Sequence, residues 1–162
     1  KMATRAALTG HLVLSTIHTN SALGIISRLE EMGINPFLIA DTLNAAIAQR
    51  LVRTLCKSCR EEGELTPEEL AALNINKKDL GVVFKPRGCS QCYNTGYIGR
   101  KAIYEILPIE SETSELIKQA DIQALKSHLR QKGITSLRDS AIALLKNGDT
   151  SFDEIYPFLL EK

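Results

Sequence analysis

The chain has almost no net charge. Against 19 Asp and Glu stand 20 Lys and Arg, leaving +1 over 162 residues. That balance removes any general electrostatic case for nucleic acid or an anionic lipid surface. Long apolar runs are also missing. Nothing approaches the roughly 20 residues a membrane span needs. Lys1 is followed by an amphipathic stretch, not by the apolar core and small-residue cleavage site of a signal peptide. Internal repeats and low-complexity segments are absent, which sets aside solenoids and unstructured tracts. What is there is globular: 44% apolar and 24% charged residues, in a length that suits one ordinary domain or two small ones.

Cysteine is scarce but patterned. The four fall in two pairs, Cys56-x-x-Cys59 and Cys89-x-x-Cys92. With nothing suggesting export, disulfides are disfavoured, and paired CxxC spacing is the usual form of a tetrathiolate site. Zn²⁺ takes four thiolates tetrahedrally, and each CxxC loop curls so that both sulfurs reach one ion. Four protein ligands leave no position for water, so the role is structural. Four buried free thiols, or a redox-active dithiol, are the alternatives. A tetrathiolate zinc carries −2, and Lys57, Arg60, Arg87 and Arg100 are near enough in sequence to offset it. The module would loosen first on losing a cysteine, with the helical tail surviving longer on its own core.

Around this region the chain reads as three parts: 1–55, 56–107 and 108–162. Residues 1–10 read as a helix end closed by Gly10. His11 to His18 reads as a strand whose consecutive Leu12, Val13 and Leu14 make both faces apolar, as in a central parallel strand. No equal strand follows in the next 60 residues, so the parallel partners lie elsewhere. The segment is expected to pack on residues 21–55 or pair with another copy in preference to disorder. A helix is expected over 21–32, capped by Asn20 or Thr19 and ended by Gly33. Asn35-Pro36 opens a second, longer helix running to Leu55, with Arg50 and Arg53 near its C-terminus, where the dipole favours cations.

Thr66-Pro67-Glu68-Glu69 is a capping box with Pro at N1, opening a short helix. Val82-Val83-Phe84 and Tyr97 to Leu107 read as strands. Helices are expected at 112–119, 122–132, 136–147 and 152–160, capped by Asp121, Ser136 and Ser151, with Leu116, Leu125, Leu145, Ile155 and their neighbours forming a small bundle core.

Of the remaining polar residues, His18 stands where a parallel strand runs out into a loop, the usual place for ligand contact in open α/β sheets. An isolated histidine there is as a rule simply satisfied by its surroundings. His128 reads as a partly exposed helix residue. Arg50, Arg53 and Arg100 read as surface or helix-end charge. Tyr93, Tyr97 and Tyr104 are expected to pack the small core of the cysteine region. Aromatics beside zinc also read single-stranded nucleic acid, against which the near-zero net charge argues.

Three blocks then carry a resemblance. Ala7-Leu8-Thr9-Gly10-His11-Leu12-Val13-Leu14-Ser15-Thr16-Ile17-His18-Thr19-Asn20 resembles the histidine box of the type II secretion and type IV pilus assembly ATPases. Gln49-Arg50-Leu51-Val52-Arg53-Thr54-Leu55-Cys56 resembles the lead into their zinc module. The run Gly88-Cys89-Ser90-Gln91-Cys92-Tyr93-Asn94-Thr95-Gly96-Tyr97-Ile98-Gly99-Arg100 resembles its second half. The fold the resemblance implies is α/β: the C-terminal part of a RecA-like P-loop ATPase core, then a tetracysteine zinc module and an α-helical C-terminal subdomain. It implies a homo-hexamer that hydrolyses ATP with Mg²⁺ in the cytoplasm. It also implies work at inner-membrane platform proteins to move pilin-like subunits, without membrane insertion or nucleic acid. By resemblance His18 would sense the terminal phosphate, and His11 would lie beside the nucleotide.

No G-x-x-x-x-G-K-[ST] phosphate loop occurs in the sequence, and the acidic strand and aspartate-rich box that precede the histidine box in the family are not found. The sequence therefore reads as a piece of a longer ATPase, without ATP binding of its own. Glu112 to Gln119 lacks the arginine motif of the retraction branch and looks closer to the assembly and secretion branch. The rival from another class is a stand-alone zinc-binding interaction module.

Overall fold

A computed structural model describes residues 2–160. The chain divides into two compact units, Lys1–Ala48 with Glu105–Thr135, and Gln49–Tyr104 with Ser136–Lys162.

The first unit begins with α1 (Met2–Leu8), α2 (Ala22–Glu31) and α3 (Pro36–Thr42). Gly10 follows α1 at φ +87°. Ser21, not Asn20 or Thr19, caps α2 by accepting from the Gly24 N–H. Asn35 caps α3 through the Phe37 N–H, with Pro36 at the first helical position. The unit is completed by α6 (Ser111–Lys118) and α7 (Ile122–Gln131), the latter capped by Asp121. Helices α2 and α6 pack on α3, and α7 packs on α6. Ile26, Ile39, Ile117 and Leu125 are fully buried at 1% exposure or less.

Two expectations fail here. The segment His11–Thr19 forms no strand. Its backbone pairs with no strand among the described residues, and Leu12 and Leu14 stand 82% and 88% exposed. A strand apolar on both faces exists only inside a sheet that supplies two ladders and two covers. Of the two expected arrangements, packing on residues 21–55 does not cover Leu12, Val13 and Leu14, which stay exposed. The second failure is the long helix to Leu55. The helix stops at Thr42, and β1 (Ala45–Leu55) follows. Ala46, Ala48 and Val52 are buried while Ala45, Ile47, Gln49 and Leu51 face out, a period of two carried by small residues that also favour helix. Arg50 and Arg53 therefore lie in a strand.

Strand β1 pairs with β4 (Tyr97–Pro108). The Ile109 N–H donates to the Asn44 carbonyl, and the Thr54 hydroxyl donates to that of Ile98, so the strands run oppositely.

The second unit carries β2 (Glu61–Gly63), α4 (Pro67–Leu73), α5 (Lys77–Leu80) and β3 (Val83–Lys85). β2 and β3 pair antiparallel, Glu62 opposite Phe84. Thr66 and Glu69 close the expected capping box on α4. β2 and α5 are elements that no apolar periodicity announces. The unit ends with α8 (Leu137–Lys146), capped by Ser136, and α9 (Phe152–Leu160), which pack on each other. The four tail helices do not share one bundle core: α6 and α7 belong to the first unit, α8 and α9 to the second.

Candidate metal centre

The first cysteine pair closes at the end of β1. Cys59 and Arg60 both donate their backbone N–H to the Cys56 carbonyl, 3.2 and 2.9 Å, which curls Cys56 to Cys59 into a tight turn. The second pair lies on a single 3-10 turn, Ser90–Cys92. Tyr93 and Asn94 follow at φ +52° and +59°, so the chain reverses and the Asn94 N–H reaches back to the Cys89 carbonyl at 2.8 Å. Gly96 is at φ +78°, and a Cβ there would meet the Pro86 Cβ at 2.4 Å. Only glycine fits that approach.

The two turns are tied together. Cys56 donates its N–H to the Gly96 carbonyl at 2.9 Å, and the Ser58 hydroxyl donates to the Gln91 amide oxygen at 2.6 Å. As a result all four Sγ atoms lie within 4.8 Å of one another. Cys56–Cys89 are 3.9 Å apart, while Cys59–Cys92 and Cys89–Cys92 are each 3.7 Å apart. Zn–S bonds of about 2.3 Å in a tetrahedron place the sulfurs about 3.8 Å from one another. The donor set fits a tetrathiolate ion. All four thiols are free of disulfide bonding, and Cys56, Cys59 and Cys92 are buried.

The electrostatics are uneven. Burial works to raise the Cys92 thiol. The backbone N–H groups of Cys89 and Gly96, at 3.1 and 3.2 Å, overcome it together with the neighbouring thiols and bring it down to about 6. Burial pushes Cys59 up to about 12. Amide hydrogen bonds thus favour the Cys92 thiolate, while burial disfavours that of Cys59. Four sulfur donors would leave a bound ion no position for water.

The surroundings differ from expectation in part. Arg60 does not simply offset thiolate charge: it donates to the Gly148 carbonyl at 2.5 Å and lies over the Phe84 ring at 4.2 Å. Arg87 pairs with Glu61 at 2.8 Å. Lys57 and Arg100 are exposed. Tyr93 is not core but 89% exposed, and Tyr104 is half out. Tyr97 packs under the Arg53 guanidinium at 4.2 Å. The backbone amides on Cys92 and the Ser58–Gln91 tie were not anticipated. Gly88 and Gly96 flanking the second pair are the signal that would have pointed to the tight turns.

The two histidines are not part of this centre. His11 Nδ1 lies 3.0 Å from the Thr9 hydroxyl and 3.2 Å from the Ala6 carbonyl, at the end of α1. His18 is exposed on the irregular segment before α2.

The family model for the type II/IV secretion system protein matches residues 1–157. The chain belongs to this family. Within it, the chain is 42% identical over 156 residues to the type II secretion system ATPase E of Vibrio cholerae, covering 96% of this chain and 31% of that protein. To the type IV pilus assembly ATPase PilB of Thermus thermophilus it is 38% identical over 164 residues, 99% of this chain and 18% of that one. To PilB of Myxococcus xanthus it is 42% identical over 155 residues, 93% and 27%. The chain spans about a third or less of these relatives. A crystal structure of the pilus retraction motor PilT with bound ADP superposes with a TM-score of 0.62 at 21% identity, covering 95% of this chain and 34% of that one. At that identity the likeness is one of fold: an α/β fold similar to that motor's. Among the described residues no helix is long and apolar enough to cross a membrane.

Proposed function

We propose that the chain serves as the zinc-stapled, C-terminal part of an ATP-driven motor for type II secretion or type IV pilus assembly. Cys56, Cys59, Cys89 and Cys92 hold one structural Zn²⁺. The observation that carries the zinc reading is sulfur spacing of 3.7–3.9 Å, which suits a tetrahedral tetrathiolate ion. The motor reading rests on family membership across nearly the whole chain.

In that reading the motor is a cytoplasmic homo-hexamer acting on platform proteins at the bacterial inner membrane, and residues 1–55 complete its RecA-like core. ATP and Mg²⁺ would supply the driving reaction. The Gly-rich loop and lysine that hold β- and γ-phosphates are not in this sequence, so the chain by itself neither binds ATP usefully nor hydrolyses it. Its contribution to the nucleotide site is His18 as the phosphate sensor, with His11 nearby.

Two measurements test this. Calorimetric titration of the chain with Mg-ATP shows no micromolar binding; a micromolar Kd overturns the division of labour. In the full-length motor, His18→Ala lowers turnover well beyond any loss of nucleotide affinity; unchanged turnover removes the sensing role.

A further inference from the structure

Beyond its own backbone bonds to α8, the turn between α8 and α9, residues 147–151, is held by residues on and beside the two cysteine turns. Leu55, directly before Cys56, donates its N–H to the Asp149 carbonyl at 2.8 Å. Arg60, directly after Cys59, donates to the Gly148 carbonyl and covers Phe84, the same ring that a Cβ on Gly148 would meet at 2.7 Å. Tyr97 follows Gly96, whose N–H points at the Cys92 sulfur, and its hydroxyl lies 2.7 Å from that of Ser151. Thr150, fully buried, donates to the Arg53 carbonyl at 2.8 Å. Lys101 pairs with Asp149 at 2.7 Å. One turn further on, Glu154 accepts from both the backbone and the guanidinium of Arg53, 2.5–3.0 Å.

We infer that metal loading at the four cysteines seats the α8–α9 hairpin, and that the hairpin in turn retains the metal. The physical basis is shared anchorage. Leu55, Arg60 and Tyr97 each sit within one residue of a metal-turn hydrogen bond or ligand, so whatever fixes the sulfurs fixes three of the hairpin's attachment points. Gly148, at φ +69°, brings the turn close under the Phe84 ring where a Cβ would not fit, and moving it outward breaks the Arg60 bond. A ligand that binds the seated form stabilises it by mass action, and linkage requires the reverse effect to be equal. The hairpin is therefore not an independent helical tail: it opens with the metal turns as one cooperative piece.

This inference rests on the metal reading above, and the test separates the two. Cobalt titration of the chain, followed by thiolate-to-metal charge-transfer absorption, reports loading of the site. Amide exchange is then measured on loaded and chelated protein. Removing the metal speeds exchange in residues 153–160 at least fivefold, alongside 83–85, while α2, α3, α6 and α7 are unchanged. A normal cobalt spectrum with a smaller change in 153–160 overturns the coupling and leaves the metal reading standing. Absence of the cobalt spectrum overturns both. The reciprocal arm uses variants far in sequence from the cysteines. Thr150→Val and Glu154→Ala each raise the metal Kd at least threefold in chelator competition, and unchanged affinity in both overturns the coupling. If either variant fails to fold, the exchange comparison on unaltered protein decides the matter.

Discussion

The sequence marks two segments as functional, and the structure treats them in opposite ways. The cysteine turns are dense: four sulfurs within 4.8 Å, two amides on Cys92 and a side-chain tie between the turns. In the histidine segment His11–Thr19, by contrast, Leu12 and Leu14 stand at 82% and 88% exposure, and the backbone makes no ladder to a described strand. The difference lies in the range of the forces that build each. A CxxC turn closes on its own backbone hydrogen bonds within four residues. A two-faced strand has no structure of its own, because its hydrogen bonds and its covers both come from other segments.

The largest effect should come from breaking the dense segment. Cys92→Ser replaces the proposed ligand sulfur with a shorter-reaching hydroxyl that binds zinc poorly. It should abolish stoichiometric metal and cost the second unit on the order of 5 kcal/mol, seen by elemental analysis and thermal unfolding. A fully loaded variant would mean that Cys92 is not a ligand. Next is Gly96→Ala, which sets a Cβ 2.4 Å from Pro86 at φ +78°. Strain and overpacking together should cost about 3 kcal/mol, read as a lower urea midpoint. A neutral result would show that the Gly96 turn is not tight.

The Arg53–Glu154 pair tests how firmly α9 is held. Burial raises the Glu154 carboxyl, but the hydrogen bonds from the Arg53 side chain and backbone prevail and hold it below its ordinary 4.5. A depressed folded value means that the unfolded chain takes up the proton first. The contribution is whole above pH 4.5 and disappears as pH falls through the folded value. With the Arg53 side chain 52% exposed, it should amount to about 1 kcal/mol. Glu154→Gln should lower stability at pH 7 and flatten its fall below pH 4.5; an unchanged profile would remove Glu154 as the cause. The smallest effect is expected in the histidine segment: Leu14→Ser should shift stability by less than about 0.5 kcal/mol. A loss of several times that would show that Leu14 is buried in solution.

Legibility follows the same division. The gathering of the four cysteines, the Thr66 box, Asn35-Pro36 and the caps at Asp121 and Ser136 could be read because each is a local pattern with a local physical consequence. β1 could not, because Ala45-Ala46-Ile47-Ala48-Gln49 favours helix and its true period of two rests on alanines. β2 is three residues, Glu61-Glu62-Gly63, held by the opposite strand and not by apolar alternation. The anchoring of α9 was missed for another reason. Arg53 and Glu154 are 101 residues apart, and no spacing rule joins them. His18 stood out by its place at the end of an expected strand and by resemblance, His11 by resemblance alone, and their surroundings here are an exposed segment and a helix end.

Metal content of the purified chain, measured together with sulfur-edge and metal-edge absorption, bears most directly on the central claim. The account predicts one zinc per chain in a shell of four sulfurs at about 2.3 Å. Metal-free protein with four thiols open to alkylation after incubation with zinc, or a shell containing nitrogen or oxygen, would contradict it.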